Sequence, residues 1–317
     1  ALGHAAGTVA GSMSPAIPRL LLLVLSIRGW GLFAREMVID AGHSAALIGE
    51  DLGGRAVDTF AYWLAGRNLV QGQELYWAEH LDQLGAYLSP PPFAFAWAPL
   101  SFLPGVVAEW GWRVLGVLCV RYMAGSWQVT GLWWLFPGSL MEITSGNVTL
   151  QLAAVTVAGL RGYAHGILPS VLVKFGAIAV VPFLWLKRPA TRRGLVIGGA
   201  IAAGIVGVTF LLAPGLWFDY LEMVTSQSGS DFNPLMIHLM PTPMTDLLLR
   251  AAIAAGLVYV SVRWDSPHAA YVAAFLLTPT LWFFRFSVLL ALPTLENDER
   301  VRPYLWRWGQ GLRGTRP

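Results

Sequence analysis

An aspartate at the start of an apolar stretch is the first residue of this chain that could do chemistry. Asp58 precedes the run Thr59-Phe60-Ala61-Tyr62-Trp63, and acids are rare in apolar segments because membranes tolerate few charges. A carboxylate beside a substrate hydroxyl can take its proton, so Asp58 could be a general base. The structural alternative is that Asp58 caps a helix over 59–70, since aspartate is a favoured N-cap residue. Both remain open because a capping carboxylate can also face a cavity.

Two cations in apolar runs could bind an anion such as a phosphate. Lys174, in the run 170–175, is too deep to reach an interface easily and should face a polar cavity or an anionic partner. Arg285, in the run 281–286, is predicted at an outer turn between two late spans. The structural alternatives are an ion pair within the bundle for Lys174 and interfacial anchoring for Arg285. A lipid-linked phosphate would be a suitable partner for Lys174.

Other ionisable residues are predicted to have mainly structural roles. Glu109 and Arg113 are spaced i,i+4 in the favourable order and should neutralise each other. Glu142 begins a polar run over 142–147 that predicts a helix break and a plain loop. His238 could be a second acid/base or could contact an acceptor, although a lone loop histidine more often does neither.

The composition predicts an all-α, polytopic membrane helix bundle of about ten transmembrane helices. Hydrophobic residues make up 56% of the chain and charged residues 12%, about half the charged fraction of a soluble domain. The isoelectric point near 9.2 is interpreted as excess cytoplasmic Lys and Arg, and no nucleic-acid surface is expected. The single Cys119 lies in an apolar run, so neither a disulfide framework nor a cysteine metal site is expected.

Apolar runs of spanning length cover most of the chain. The predicted spans are 19–38, 92–104, 105–124, 127–142, 147–162, 166–186, 194–213, 245–263, 268–281 and 284–295. The run 92–104 is short enough to be re-entrant. Residues 1–18 are expected to form a flexible leader, 19–295 a transmembrane domain and 296–317 a basic cytoplasmic tail.

The charges between the spans predict which loops face the outside. Loop 187–193 holds four cations and no acid, which marks it as cytoplasmic. Loop 39–91 holds seven acids against two arginines, and loop 214–244 holds three acids and no Lys or Arg. Both are therefore predicted to be outer loops. Within the first, residues 56–70 predict an interfacial helix, which the turn 72–76 ends.

Several motifs of soluble enzymes are missing from the sequence. It contains no Walker A motif, no H-E-x-x-H, no G-x-S-x-G and no Asp-x-Asp pair. Nucleotide hydrolysis, zinc proteolysis and metal-dependent transfer from a soluble nucleotide sugar all lose support. The two halves show no evident repeat, which weakens a secondary-transporter interpretation.

A series of motifs in chain order resembles a known family. The first block is Asp58-x-Phe60-x-Tyr62-Trp63-x-x-x-Arg67, Gly72, Leu75-Tyr76, Pro91-Pro92, Pro99-Leu100 and Leu103-Pro104. It is followed by Gly146-Asn147-Val148, Lys174 with Leu186-Lys187-Arg188, and Thr278-Pro279-x-x-Trp282. Together these motifs resemble the GT87 family, the GT-C type, polyprenyl-phosphate-mannose-dependent mannosyltransferases of the actinobacterial envelope.

The resemblance implies an inverting mannosyltransferase of the bacterial plasma membrane with a periplasm-facing site. Asp58 would be the general base, and Lys174 with Arg285 would bind the donor phosphate; no metal or other cofactor is expected. The implied partners are a polyprenyl-phosphate sugar, a glycolipid or lipoglycan acceptor, and membrane lipids. The implied substrate contacts are Tyr62, Arg67, Tyr76, Asn147, His238 and Trp282.

The chain departs from the family pattern at two places. Phe283-Phe284-Arg285 follows the late tryptophan where the family carries a histidine, and Asn147 and Thr149 replace a glutamine and an asparagine. Two other functions therefore stay open. One is a transporter or flippase for a lipid-linked sugar, which would not need Asp58 as a base. The other is a non-catalytic GT-C scaffold that binds envelope lipids or partner proteins.

Overall fold

The computed structural model describes residues 16–46, 57–76, 87–226, 243–278 and 283–295. Every secondary-structure element within these ranges is a helix, so the predicted all-helical class is confirmed for the part of the chain that is described. His238 and Trp282 lie outside the described residues, and their expected substrate contacts stay predictions.

The helices are numbered in chain order. The α-helices of the described ranges are α1 (Ala16–Ala46), α2 (Val57–Gln71), α3 (Pro91–Trp97), α4 (Gly105–Ala124), α5 (Trp127–Trp133), α6 (Pro137–Ser145), α7 (Thr149–Leu160), α8 (Ile167–Val171), α9 (Val181–Lys187), α10 (Arg192–Leu212), α11 (Pro214–Ser226), α12 (Pro243–Trp264) and α13 (Pro267–Leu276). Short 3₁₀ helices connect several of them, and the last one, Phe283–Thr294, is called the late 3₁₀ helix below.

Several helices are long and apolar enough to cross a membrane. Among the described residues, Pro189–Leu212 and Thr245–Trp264 pass this test as single helices. Two bent pairs pass it together: α3 and its 3₁₀ extension with α4, bent by 120°, and α6 with α7, bent by 110°. The described part of the chain therefore has two candidate spans, or four if each bent pair is one span. The predicted ten spans are not confirmed.

Two predicted spans are interrupted in the structure. The run 127–142 is divided between α5 and α6, because Pro137 begins a new helix at a position where its missing N–H is harmless. The run 166–186 is divided between α8, a 3₁₀ helix and α9. Breaks of this kind free backbone groups and place side chains inside the bundle, so they identify where a site could lie.

Helix α2, which carries Asp58, is held firmly against the chain that follows it. Its bounds agree with the predicted helix over 56–70, and Gly72 ends it with a φ of 66°, a conformation that glycine adopts without strain. The indole Nε1 of Trp63 donates to the Leu103 carbonyl oxygen at 3.0 Å. At Gly66 the backbone of Trp97 approaches so closely that a Cβ would lie 2.6 Å from its carbonyl carbon.

The predicted ion pair in α4 is present and has a further partner. Arg113 contacts the Glu109 carboxylate and also lies 3.4 Å from an oxygen of Asp40 in α1. All three side chains are almost completely buried. Since a buried charge without a partner costs several kcal/mol, this group ties α1 to α4 and depends on the presence of Arg113.

We predict that Gly66→Ala lowers the stability of the folded protein. The added methyl group would collide with the Trp97 backbone, and overpacking of this kind costs about 1–3 kcal/mol. The matched control is Gly111→Ala in α4, where a Cβ meets nothing within 4 Å. Thermal unfolding of both variants in detergent should show a lower midpoint for Gly66→Ala alone. A midpoint for Gly66→Ala at or above that of the wild type would contradict the close approach.

We also predict that Arg113→Met destabilises the protein by about 3–5 kcal/mol, because it leaves two carboxylates buried without their cation. The control is Arg188→Met, which removes a pair with Asp265 in which the two side chains are 36% and 55% exposed. Exposed pairs contribute about 1 kcal/mol or less. Denaturant unfolding would measure the difference, and equal losses in the two variants would refute the structural role assigned to Arg113.

Candidate functional site

One amide side chain connects the two most prominent candidates of the sequence. Asn147 donates from Nδ2 to Oδ2 of Asp58 at 2.7 Å, and its Oδ1 accepts from Nζ of Lys174 at 3.0 Å. The carboxylate and the ammonium group therefore lie on opposite sides of a single amide. Asp58 is in the first turn of α2 and not at its N-cap, because the helix already begins at Val57.

The orientation of that amide follows from its hydrogen bonds. Besides Lys174, Oδ1 of Asn147 accepts from the Thr149 backbone N–H at 3.1 Å and from the Thr149 hydroxyl at 2.6 Å. Since all three partners are donors, the oxygen must face them and the amide nitrogen must face Asp58. Asn147 thus presents an N–H to the Asp58 carboxylate oxygen.

A sharp bend of the backbone brings Asn147 to this place. Helix α6 ends at Gly146, whose φ of 68° suits glycine, and α7 leaves at 110° to it. The Gly146 carbonyl oxygen accepts from the Thr59 hydroxyl at 3.1 Å and from Nε1 of Trp112 at 2.9 Å. Because Thr59 follows Asp58 directly in α2, its hydrogen bond to Gly146 holds α2 against the bend.

A second break in the helical structure presents Lys174. Helix α8 ends at Val171, and Lys174 has an extended backbone with φ −150° and ψ 138° before the 3₁₀ helix Phe175–Val180 begins. The predicted continuous span over 166–186 is therefore wrong at its centre. The interruption turns the lysine into the bundle, where its Nζ reaches Asn147.

Two more charged residues complete the cluster. Arg285 is 4% exposed in the late 3₁₀ helix and Glu142 is 1% exposed in α6. The charges of Glu142 and Asp58 both act on Arg285, and Glu142 also interacts with Lys174. These five residues, Asp58, Glu142, Asn147, Lys174 and Arg285, are called the charged cluster below.

One prediction and one structural alternative for this region do not fit the structure. Glu142 is not in a plain loop, because α6 continues to Ser145. The structural alternative for Arg285, interfacial anchoring, does not fit its burial within the protein; its expected contact with the donor phosphate stays a prediction. A carboxylate between apolar residues just before the Gly146-Asn147 break was the available signal for Glu142. Nothing in the local sequence places Glu142 beside Arg285, which follows it by more than a hundred residues.

Tyr62 lies beside Asp58 and stays neutral. Burial raises the pKa of the Tyr62 hydroxyl well above its ordinary value, and the negative charge of Asp58 raises that pKa further. Its ring packs edge-on against Phe93, with the ring centroids 4.8 Å apart. Tyr62 can therefore form part of an aromatic wall, but it is not a second base.

Arg67 and Tyr76 lie away from Asp58. Arg67 follows Asp58 by nine residues, which places it on the opposite face of α2 and about 13 Å further along the helix; its guanidinium lies 5.2 Å from the Trp63 ring centroid. The Tyr76 hydroxyl donates to the Ser89 carbonyl oxygen at 2.8 Å. Its ring packs against Tyr220 at 5.8 Å between centroids. These contacts do not involve the charged cluster, and the expected substrate contacts of both residues stay predictions.

A small cavity adjoins the cluster. Its volume is about 50 Å³, and Lys174, Thr149, Tyr271 and Thr278 line it together with apolar side chains of α7, α13 and the late 3₁₀ helix. This is enough for water but far below the roughly 300–1,000 Å³ of a typical ligand pocket. A substrate larger than a few atoms would not fit within this cavity as it stands.

We predict that Thr59→Val loosens the bend that carries Asn147. The Thr59 hydroxyl is buried and donates to the Gly146 carbonyl oxygen, and loss of such a bond costs about 1–2 kcal/mol. Thr144→Val is the control, because its hydroxyl binds only within its own helix, to the Met141 carbonyl oxygen. The unfolding free energy should fall for Thr59→Val and change by about 0.5 kcal/mol or less for Thr144→Val. Equal changes would refute the contact's role.

Comparisons of the chain with protein-family models, curated proteins and solved structures found no match. The functional argument therefore rests on the residues of the chain itself. Its strongest element is the Asn147 amide, which connects a carboxylate on α2 with a lysine at the break after α8.

Proposed function

We propose that this protein is an inverting membrane glycosyltransferase of GT-C type, which moves mannose from a polyprenyl phosphate to a glycolipid or lipoglycan acceptor. The observation that carries the proposal is the pairing of the half-buried Asp58 and Lys174 through Asn147, in one cluster with the buried Arg285. A base beside two cations is what transfer from a sugar phosphodiester to a hydroxyl requires. The motif resemblance adds the sugar and the lipid carrier.

In the proposed reaction Asp58 accepts the proton of an acceptor hydroxyl. The hydroxyl oxygen forms a bond to the anomeric carbon as the bond from that carbon to the phosphate oxygen breaks. The electron pair of the broken bond stays on the phosphate, which leaves as polyprenyl phosphate with one more negative charge. Attack opposite a β-linked phosphate gives an α-linked product. Asn147 orients the base, because its amide N–H is fixed towards Asp58.

Lys174 and Arg285 are assigned to the donor phosphate. Negative charge grows on the phosphate oxygens in the transition state, so fixed cations stabilise that state more than the bound donor. Arginine matches a phosphate through several N–H groups, whereas lysine supplies a compact charge on a flexible chain. In the proposed reaction these two side chains do the work that a divalent metal does in many soluble transferases.

The proposal also includes the membrane arrangement. The charge bias would put the cation-rich loop 187–193 and the tail 296–317 in the cytoplasm. The bend at Gly146 and Asn147 contacts Thr59 and Asp58, so it would lie on the same side of the membrane as α2 and not in the cytoplasm, where ten crossings would place it. The first outer loop with α2 and its Asp58 would then face the periplasm. Two to four candidate spans among the described residues support membrane insertion of the bundle.

We predict that Asp58→Asn lowers kcat for sugar transfer by about 10²–10⁴-fold, the usual contribution of a general base. Purified protein would be incubated with polyprenyl-phosphate mannose and a mannosylated acceptor lipid, in the presence of a chelator. Asp265→Asn is the matched control, because Asp265 lies on the surface with a φ of 53° that asparagine also tolerates. It should retain full activity.

Four outcomes would contradict the proposal in different ways. Full activity of Asp58→Asn would remove the assigned base. Loss of activity on chelation would require a metal. Movement of a polyprenyl-phosphate sugar across a bilayer without any transfer would favour a transporter, and binding with neither activity would favour a scaffold.

Lys174→Met should raise the KM for the lipid donor by about ten- to a hundredfold, since a charge-assisted contact contributes about 1.5–3 kcal/mol. The KM for the acceptor should change little. Lys187→Met, at the end of α9 in the basic loop, is the control for loss of one lysine. Steady-state kinetics with each substrate varied in turn would separate the two constants. A donor KM and a kcat that are both unchanged would show that Lys174 does not bind the phosphate.

A further inference from the structure

Glu142 is a buried carboxylate to which the proposed transfer gives no role. It is 1% exposed in α6, which packs against α2 and the late 3₁₀ helix. Among the described residues, the one side chain that interacts with it as a hydrogen-bond partner is Thr149, and that contact lacks good hydrogen-bond geometry. An ionised carboxylate in such a place costs several kcal/mol unless neighbouring cations offset it. Its position therefore calls for a specific electrostatic partner.

That partner is the pair of cations assigned to the donor phosphate. Arg285 and Lys174 both attract the Glu142 carboxylate, Arg285 more strongly, while Asp58 repels it. With both carboxylates ionised and both Lys174 and Arg285 protonated, the charged cluster would be neutral without a ligand. Without Glu142, it would carry one positive charge in a buried place.

The substrate and the product of the proposed reaction differ in charge. A polyprenyl-phosphate sugar is a phosphodiester with one negative charge, whereas free polyprenyl phosphate carries two above its second pKa of about 6. A buried site of excess positive charge would bind the dianion more tightly than the monoanion. Polyprenyl phosphate, the product, would leave such a site slowly, and the enzyme would have a low turnover rate.

We propose that Glu142 is a counter-charge that weakens binding of the dianionic lipid phosphate and so promotes its release. The inference rests on the proposed function, because it takes Lys174 and Arg285 as the phosphate-binding groups. Glu142 acts through these two side chains and does not contact the reacting atoms, so it is a positioning residue. Its loss should lower kcat by slowing product release and should lower the donor KM as well, since both lipids bind more tightly.

The test measures binding of farnesyl phosphate, a short dianionic probe, to the full chain in detergent at pH 8. Glu142→Gln should bind it at least tenfold more tightly than the wild type. Glu109→Gln is the matched control, because it removes another buried carboxylate that pairs with an arginine, outside the cluster. Its affinity for farnesyl phosphate should equal that of the wild type. Unchanged or weaker binding by folded Glu142→Gln would overturn the inference.

A second measurement needs only the wild type, in case Glu142→Gln does not fold. Farnesyl phosphate and its monoanionic methyl ester would be compared at pH 8, where the first is a dianion. The wild type should prefer the dianion by less than tenfold, because Glu142 offsets one of the two cations. A preference well above tenfold would overturn the inference.

The two proposals fail in distinguishable ways. Wild-type protein that transfers sugar, but whose Glu142→Gln variant shows no tighter binding and no slower product release, would contradict the role of Glu142 alone. Wild-type protein that binds neither farnesyl ester would contradict the phosphate site, and with it the proposed function.

Discussion

The hydrogen bonds of the Asn147 amide are the interaction on which the rest of the site depends. They connect residues that are 89 positions apart on one side and 27 on the other. Because the amide oxygen already accepts from Lys174 and twice from Thr149, the amide cannot turn over without losing several hydrogen bonds. Asp58 therefore has a hydrogen-bond donor in a fixed position. Lys174 is held at the other end of the same amide.

The bundle tolerates this cluster because its helices are interrupted around it. The bend between α6 and α7 and the break after α8 supply Asn147 and Lys174, and the late 3₁₀ helix supplies Arg285. In uninterrupted apolar helices, most of these polar side chains would point towards apolar surroundings that cannot solvate them. Opposite charges in one place reduce the cost of burying each of them. The breaks that interrupt the predicted spans are therefore the places where the side chains of the site enter the bundle.

Local features were predictable from the sequence, and long-range features were not. Helix α2, its end at Gly72 and the Glu109–Arg113 pair follow from spacing and from residue types within a few positions. The burial of Arg285 and the place of Glu142 in α6 depend on which helices pack together. Apolar periodicity predicted continuous spans over 127–142 and 166–186, since it cannot distinguish one long helix from two short ones at an angle.

In the proposed function the charged cluster binds the phosphate of a lipid-linked sugar. An electron cryomicroscopy structure of the protein with a non-hydrolysable polyprenyl-phosphonate mannose analogue tests it most directly. We predict the phosphonate between Lys174 and Arg285, and the anomeric carbon on the side that faces Asp58. A phosphonate bound elsewhere, with Lys174 still hydrogen-bonded to Asn147 and the cluster unoccupied, would contradict it.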